Sequence, residues 1–126
     1  MELPQGSIIA SGPVIIEDNK ILLNQHGEDN FWKFPGGTVE DFTISLEDNA
    51  KREVKEEMDI EIEIIRPLKP LLIQKPSGEV VVLIHFLAKR LGEITPGADI
   101  REWNWFAIDN LPDNLAPNIK PVLESL

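Results

Sequence analysis

Leu46, Ala50, Val54 and Met58 recur at every fourth residue, so their side chains line one side of a helix that must find an apolar surface to cover. Ser45 supplies an N-cap hydroxyl and Asp48 stands where a capping-box acid belongs, which predicts a helix over Leu46–Met58. Strand-like runs surround it. Ser7–Glu17 carries Ile8, Ile9, Val14, Ile15 and Ile16, and Lys20–Gln25 follows an Asp18-Asn19 turn, so the pair reads as a hairpin. Ile60, Ile62 and Ile64 alternate with Glu61 and Glu63, and the strand reading resumes over Leu68–Lys75 before a Pro76-Ser77-Gly78 turn. Glu79–Leu91, apolar from Val80 to Ile84 and again at Phe86, reads as a strand buried on both faces. A loop over Gly92–Ala98, a strand over Ile100–Ile108 and a short helix over Pro117–Leu126 complete the chain. Strands, helix, strands, helix in that order predict an α+β fold, a mixed sheet with helices packed against it.

The 126 residues suffice for one domain, 1–126, and 42% hydrophobic content is ordinary for a globular core. With 22 acids against 12 bases the net charge is −10, a field that repels the backbone of bulk nucleic acid. A phosphorylated ligand therefore needs a bridging cation. The chain has no cysteine, which excludes disulfides, thiolate catalysis and thiolate metal sites. MELPQGSIIASG lacks the basic segment and apolar run of a signal peptide, and no apolar stretch approaches the roughly 18 residues of a membrane span. These features predict a soluble cytoplasmic protein, monomeric or homodimeric, that does not bind a membrane.

The acids are concentrated. Glu40–Glu63 holds ten acids against Lys51, Arg52 and Lys55, so seven of the ten net negative charges lie there. Glu53, Glu56 and Glu57 are three and four residues apart, on one face near the end of the helix, where their mutual repulsion and the helix dipole both oppose them. A divalent cation reverses both signs, and Mg²⁺ or Mn²⁺ prefers such hard oxygen ligands. The competing reading is a solvated face laced with i,i+4 ion pairs: Glu47 to Lys51, Asp48 to Arg52, Arg52 to Glu56, Lys55 to Asp59. That pattern leaves Glu53 and Glu57 without a basic partner at the same spacing.

Upstream lies Trp32-Lys33-Phe34-Pro35-Gly36-Gly37, a turn in which proline fixes φ and glycine admits conformations closed to other residues. Together, this turn and Arg52-Glu53-Val54-Lys55-Glu56-Glu57-Met58-Asp59-Ile60 resemble the Nudix hydrolase box, in the manner of the MutT-like members. The likeness covers about a quarter of the chain directly, and the Trp105-Phe106 to Leu111-Pro112 segment resembles the family more loosely. There are two departures. One extra residue separates Gly37 from Arg52, so the first glutamate of the box falls at the uncharged Thr43 or Ile44, and Asp59 stands in place of a glycine. Arg52 is then expected either to borrow Asp48, Asp41 or Glu47 or to leave the loop less rigid.

The resemblance implies an α/β/α sandwich with one catalytic helix and a short C-terminal helix. It also implies metal-dependent hydrolysis of a nucleoside diphosphate linked to another moiety. Its metal ligands would be Glu53, Glu56, Glu57 and the Gly36 carbonyl, holding Mg²⁺ with Mn²⁺ as a substitute, and Arg52 completes the catalytic set. Glu56 is a ligand or the base, and Glu93, Asp99 and Glu102 are further candidates for the base. For the small-molecule nucleotide, Gly37, Trp32, Phe34 and Asn118 are candidate binding residues, with Trp103 and Trp105 as other stacking faces. Trp105 also reads as core and Asn118 as a helix cap. His26 reads as a loop residue and His85 as a strand residue. The implied substrate is first a nucleoside triphosphate, in a house-cleaning role. ADP-ribose is the alternative, marked by Pro76, sixteen residues beyond Ile60. Two other classes compete: a nucleotide sensor that does not cleave its ligand, and an interaction domain whose acids only solubilise it.

Overall fold

Asp18 and Asn19 both adopt positive φ, 51° and 61°, the geometry of a tight hairpin turn, in the computed structural model, which describes residues 7–126. The first six residues of the stretch read for a signal peptide lie outside the described residues. The turn joins β1 (Ile8–Glu17) to β2 (Lys20–His26), pairing Ile16 with Ile21. The remaining elements are β3 (Gly37–Thr38), α1 (Leu46–Met58), β4 (Ile62–Pro67), β5 (Leu71–Gln74), β6 (Val80–Arg90), β7 (Ile100–Ala107) and α2 (Ile119–Glu124). The sheet runs β4-β6-β1-β2-β7, with β3 also on β1 and β5 also on β6. β1 and β6 are parallel and the other pairs antiparallel, so the sheet is mixed, as expected.

Alternation along the central strands explains why helices cover both faces. Ile15 and Leu22 point to one face, where Val54 and Met58 of α1 join Ile60, Ile62 and Ala88. Val14, Ile21 and Leu23 point to the other, where Ile119 and Val122 of α2 pack with Phe34 and Leu68. The result is the α/β/α sandwich. α1 begins where the Ser45 hydroxyl accepts the Asp48 N–H at 3.0 Å and ends where Asp59 takes a left-handed conformation at φ 54°.

Four expectations change. The strand expected from Ile60 starts at Ile62, where pairing with Arg90 of β6 begins, and β5 is shorter than Leu68–Lys75, because Pro70 has no N–H to donate. The first half of β6 is only half-buried, since Val81 and Leu83 border an open cleft. The last helix is confined to Ile119–Glu124. Among the described residues no helix is long and apolar enough to cross a membrane.

Candidate active site

Pro35-Gly36-Gly37 passes within touching distance of β1, and this approach places the acidic end of α1. Gly36 sits at φ 139°, and a Cβ there would lie 2.7 Å from both the Gly12 Cα and the Ser11 oxygen. Only glycine fits. Its N–H donates to Glu57 Oε1 at 2.8 Å, which ties the turn to the helix. A Cβ on Gly37 would come within 2.5 Å of Glu53 Oε2, so the second glycine leaves room for that carboxylate.

Of the three acids on the helix face, two meet the turn. Glu57 is 6% exposed, and its other oxygen faces His26 Nε2. Glu53 is 16% exposed; burial pushes its carboxyl up, Arg52 opposes this, and Glu57 and Glu56 add to the rise. Glu56, 59% exposed, turns instead to Arg52 Nη1 at 3.1 Å. The expected convergence of all three carboxylates is therefore absent, because the guanidinium draws Glu56 outward. Among the described residues no three His, Asp or Glu side chains surround one point.

Arg52 does not borrow Asp48, Asp41 or Glu47. Asp41 accepts both the Thr43 N–H and its hydroxyl, which holds its carboxyl below the usual range. Arg52 Nη2 donates instead to Asn49 Oδ1 and Glu53 Oε1, both at 2.9 Å. Asn49 is fully buried and was not anticipated, although it lies four residues before Glu53 on the same row. Of the expected helix pairs, Arg52 to Glu56 and Lys55 to Asp59 form, each at 3.1 Å.

A cleft of about 410 Å³ opens beside the glycine turn. Gly36, Gly37, Phe34, Asn118, His85 and Lys75 line it. Asn118 occupies the N-cap position of α2 but makes no side-chain cap; its Nδ2 donates to His85 Nε2 at 3.2 Å. The cap reading of Asn118 is thereby replaced. His85 is buried, with burial pushing its imidazole down to about 4, and its ring meets Phe34 edge-on at 5.1 Å. Trp32 does not line this cleft. Its ring packs edge-on against Phe106 at 4.7 Å and borders a separate depression with Ile100 and Trp103. Trp105 is half-buried against the α1-side core, with the Arg90 guanidinium 5.7 Å from its ring centre.

Glu93, Asp99 and Glu102 are exposed, and no hydrogen bond or ion pair of the described residues joins any of their carboxylates to Glu53 or Glu57. The loop that carries Glu93 and Asp99 nevertheless reaches the helix end, where the Gly97 N–H donates to the Glu57 carbonyl at 2.7 Å and the Thr95 N–H to that of Met58 at 2.8 Å. This satisfies carbonyls that a helix terminus otherwise leaves open.

A family model, the NUDIX domain, matches residues 8–126. The chain belongs to the NUDIX family. It is 33% identical over 113 residues to an ADP-ribose pyrophosphatase of Methanocaldococcus jannaschii, a match covering 82% of this chain and 64% of that protein. The chain thus spans less than two thirds of that relative. Its fold is similar to a MutT NUDIX hydrolase from Burkholderia pseudomallei, with TM-score 0.86 and 29% identity over 95% of this chain and 98% of the other. An ADP-ribose pyrophosphatase from Streptococcus suis is also similar, with TM-score 0.71 and 28% identity over 93% and 87%.

The NUDIX donor set suits a hard cation. Two carboxylates, Glu53 and Glu57, meet the glycine turn, and Mg²⁺ is commonly held by one or two carboxylates with phosphate and water completing its shell. A third converging carboxylate is not required for that mode.

Proposed function

We propose that this protein is a metal-dependent pyrophosphohydrolase acting on a nucleoside diphosphate linked to another moiety. The observation that carries the reading is the Gly36 N–H bond to Glu57, which holds a buried carboxylate at the turn that borders a nucleotide-sized cleft. Glu53, Glu57 and the Gly36 carbonyl would hold Mg²⁺ or Mn²⁺. Glu56 serves as a further ligand or as the base, with Glu93, Asp99 and Glu102 as other candidates. When bound, the cation neutralises diphosphate charge and lowers the pKa of a coordinated water.

The chain's own residues do the rest. Arg52 holds Glu53 toward the turn, Gly37 leaves the space that the carboxylate fills, and Phe34 and Asn118 receive the base in the cleft. Water attacks phosphorus, and the bridging P–O bond breaks toward the departing phosphate. Among substrates, the ADP-ribose pyrophosphatase relatives and Pro76, next to the cleft residue Lys75, support ADP-ribose. The MutT likeness supports a nucleoside triphosphate. Intracellular nucleotide pools make the cytoplasm the proposed compartment.

The test is a panel of ADP-ribose, nucleoside triphosphates and their oxidised forms with Mg²⁺ or Mn²⁺, reading released AMP, phosphate and pyrophosphate. Metal-dependent turnover, with ADP-ribose giving the highest kcat/KM, is expected. Tight binding with no cleavage of any member would establish a sensor instead.

A further inference from the structure

Asn49 is the one buried polar side chain of α1 that touches three parts of the site. Its Nδ2 donates to Ser11 Oγ of β1 at 2.7 Å and to the Gly37 carbonyl at 3.4 Å, while its Oδ1 accepts from Arg52 Nη2 at 2.9 Å. The Ser11 hydroxyl in turn donates to the Leu46 carbonyl at 3.1 Å, so every arm of the amide ends on a fixed group. The 38–45 loop gives Arg52 no hydrogen bond, since the Asp41 carboxylate is taken by Thr43.

We infer that Asn49 is a positioning residue that fixes the Arg52 guanidinium, and through it the Glu53 carboxylate, against the glycine turn. A primary amide fits this task. It offers an acceptor to the guanidinium and donors to the hydroxyl and carbonyl behind it, which no other uncharged side chain of this length supplies. Burial makes the arrangement stiff, because any rotation of the amide leaves at least one polar group unpaired. Arg52 carries the effect outward: the nitrogen that meets Asn49 also meets Glu53. Without Asn49 the guanidinium is free to follow Glu56 into solvent and to leave Glu53 unrestrained.

The inference rests on the hydrolase reading of the site, and two arms separate their failures. The first measures Mn²⁺ binding to the folded protein without nucleotide, by the spectroscopic signal of free Mn²⁺. Asn49→Ala is expected to weaken it about tenfold, as the loss of a group that orients a metal ligand does, and Asn49→Asp, which keeps an oxygen toward Arg52, less than twofold. The second arm takes a substrate cleaved in the panel. Asn49→Ala is expected to lower kcat about tenfold with KM within twofold, as for a group acting on the transition state alone. The double variant with Arg52→Ala loses no more than Arg52→Ala alone. A merely structural role would instead multiply the two losses. Multiplied losses, or an Asn49→Ala protein with unchanged Mn²⁺ affinity, overturn the inference. If no nucleotide is cleaved by the wild type, the hydrolase reading fails, and the Mn²⁺ arm still decides the role of Asn49.

Discussion

The Gly36 N–H donates to Glu57 Oε1 at 2.8 Å across 21 residues of sequence, so the turn and α1 share one hydrogen bond beside the cleft. Glu57 therefore anchors the turn with one oxygen, while its second, which faces His26 Nε2, is the one proposed to hold a cation. Glu57→Gln separates the two roles. The amide oxygen still accepts from Gly36, so the melting temperature is expected to stay within a few degrees. Metal-dependent kcat is expected to fall by at least about a hundredfold, the scale of losing a charge that offsets developing phosphate charge. Retention of full Mg²⁺-dependent turnover would remove Glu57 from the ligand set.

The two adjacent glycines are expected to fail in different ways. Gly36→Ala forces a side chain onto φ 139° and into backbone atoms 2.7 Å away, so it should cost about 1–3 kcal/mol of stability or more, read by urea melts. Gly37→Ala meets only the movable end of Glu53, whose Oε2 would lie 2.5 Å away. That variant should fold nearly as well as the wild type, since the carboxylate can swing aside, yet lose roughly tenfold or more in kcat, as misplaced catalytic groups do. Equal stability losses for the two would contradict the contact geometry.

Much of the scaffold follows from periodicity. The apolar stripe with the Ser45 cap defines α1, the Asp18-Asn19 pair defines the first turn, and the alternation at Val14 and Ile15 accounts for two covered faces. The glycine turn and Glu53 were legible as neighbours through the family motif. The fine wiring was not. Asn49 meets Ser11, His26 meets Glu57 and His85 meets Asn118 across 31 to 38 residues of sequence, through strand order that no local pattern encodes. The spacing of Glu53, Glu56 and Glu57 equally concealed their separation, because it does not say which acid Arg52 draws away. Trp32 lies next to the turn in sequence, yet the bridge to Leu115 and the Phe106 edge hold its ring elsewhere.

His85 gives the protein a pH signature. Burial holds its folded-state pKa at about 4, below the unfolded value of 6.5, so the neutral ring is favoured in the folded protein. Above pH 6.5 both states are neutral and the group contributes nothing to the pH slope. As pH falls from 6.5 toward 4 the unfolded chain takes up a proton that the folded protein refuses, and stability declines by up to about 3 kcal/mol. Carboxylates contribute their own slopes, so the measurement is a difference: urea melts of wild type and His85→Gln at several pH values across this window. The wild-type curve should fall more steeply, and parallel curves would contradict the depressed pKa.

Asn118 should influence substrate binding far more than it influences folding. It stands at the start of α2 yet makes no side-chain cap, and its amide reaches into the cleft toward His85 at 3.2 Å. Asn118→Ala therefore forfeits no cap hydrogen bond, and the unfolding free energy should drop only by what the buried His85 contact contributes, about 1 kcal/mol. The lost amide is expected to raise KM about tenfold for a purine substrate, the equivalent of one hydrogen bond, with kcat within twofold because Asn118 lines the cleft whereas Glu53 and Glu57 do not. A pyrimidine nucleotide without a matching edge should respond much less. A kcat loss with unchanged KM would move Asn118 from base recognition to the support of the reacting groups.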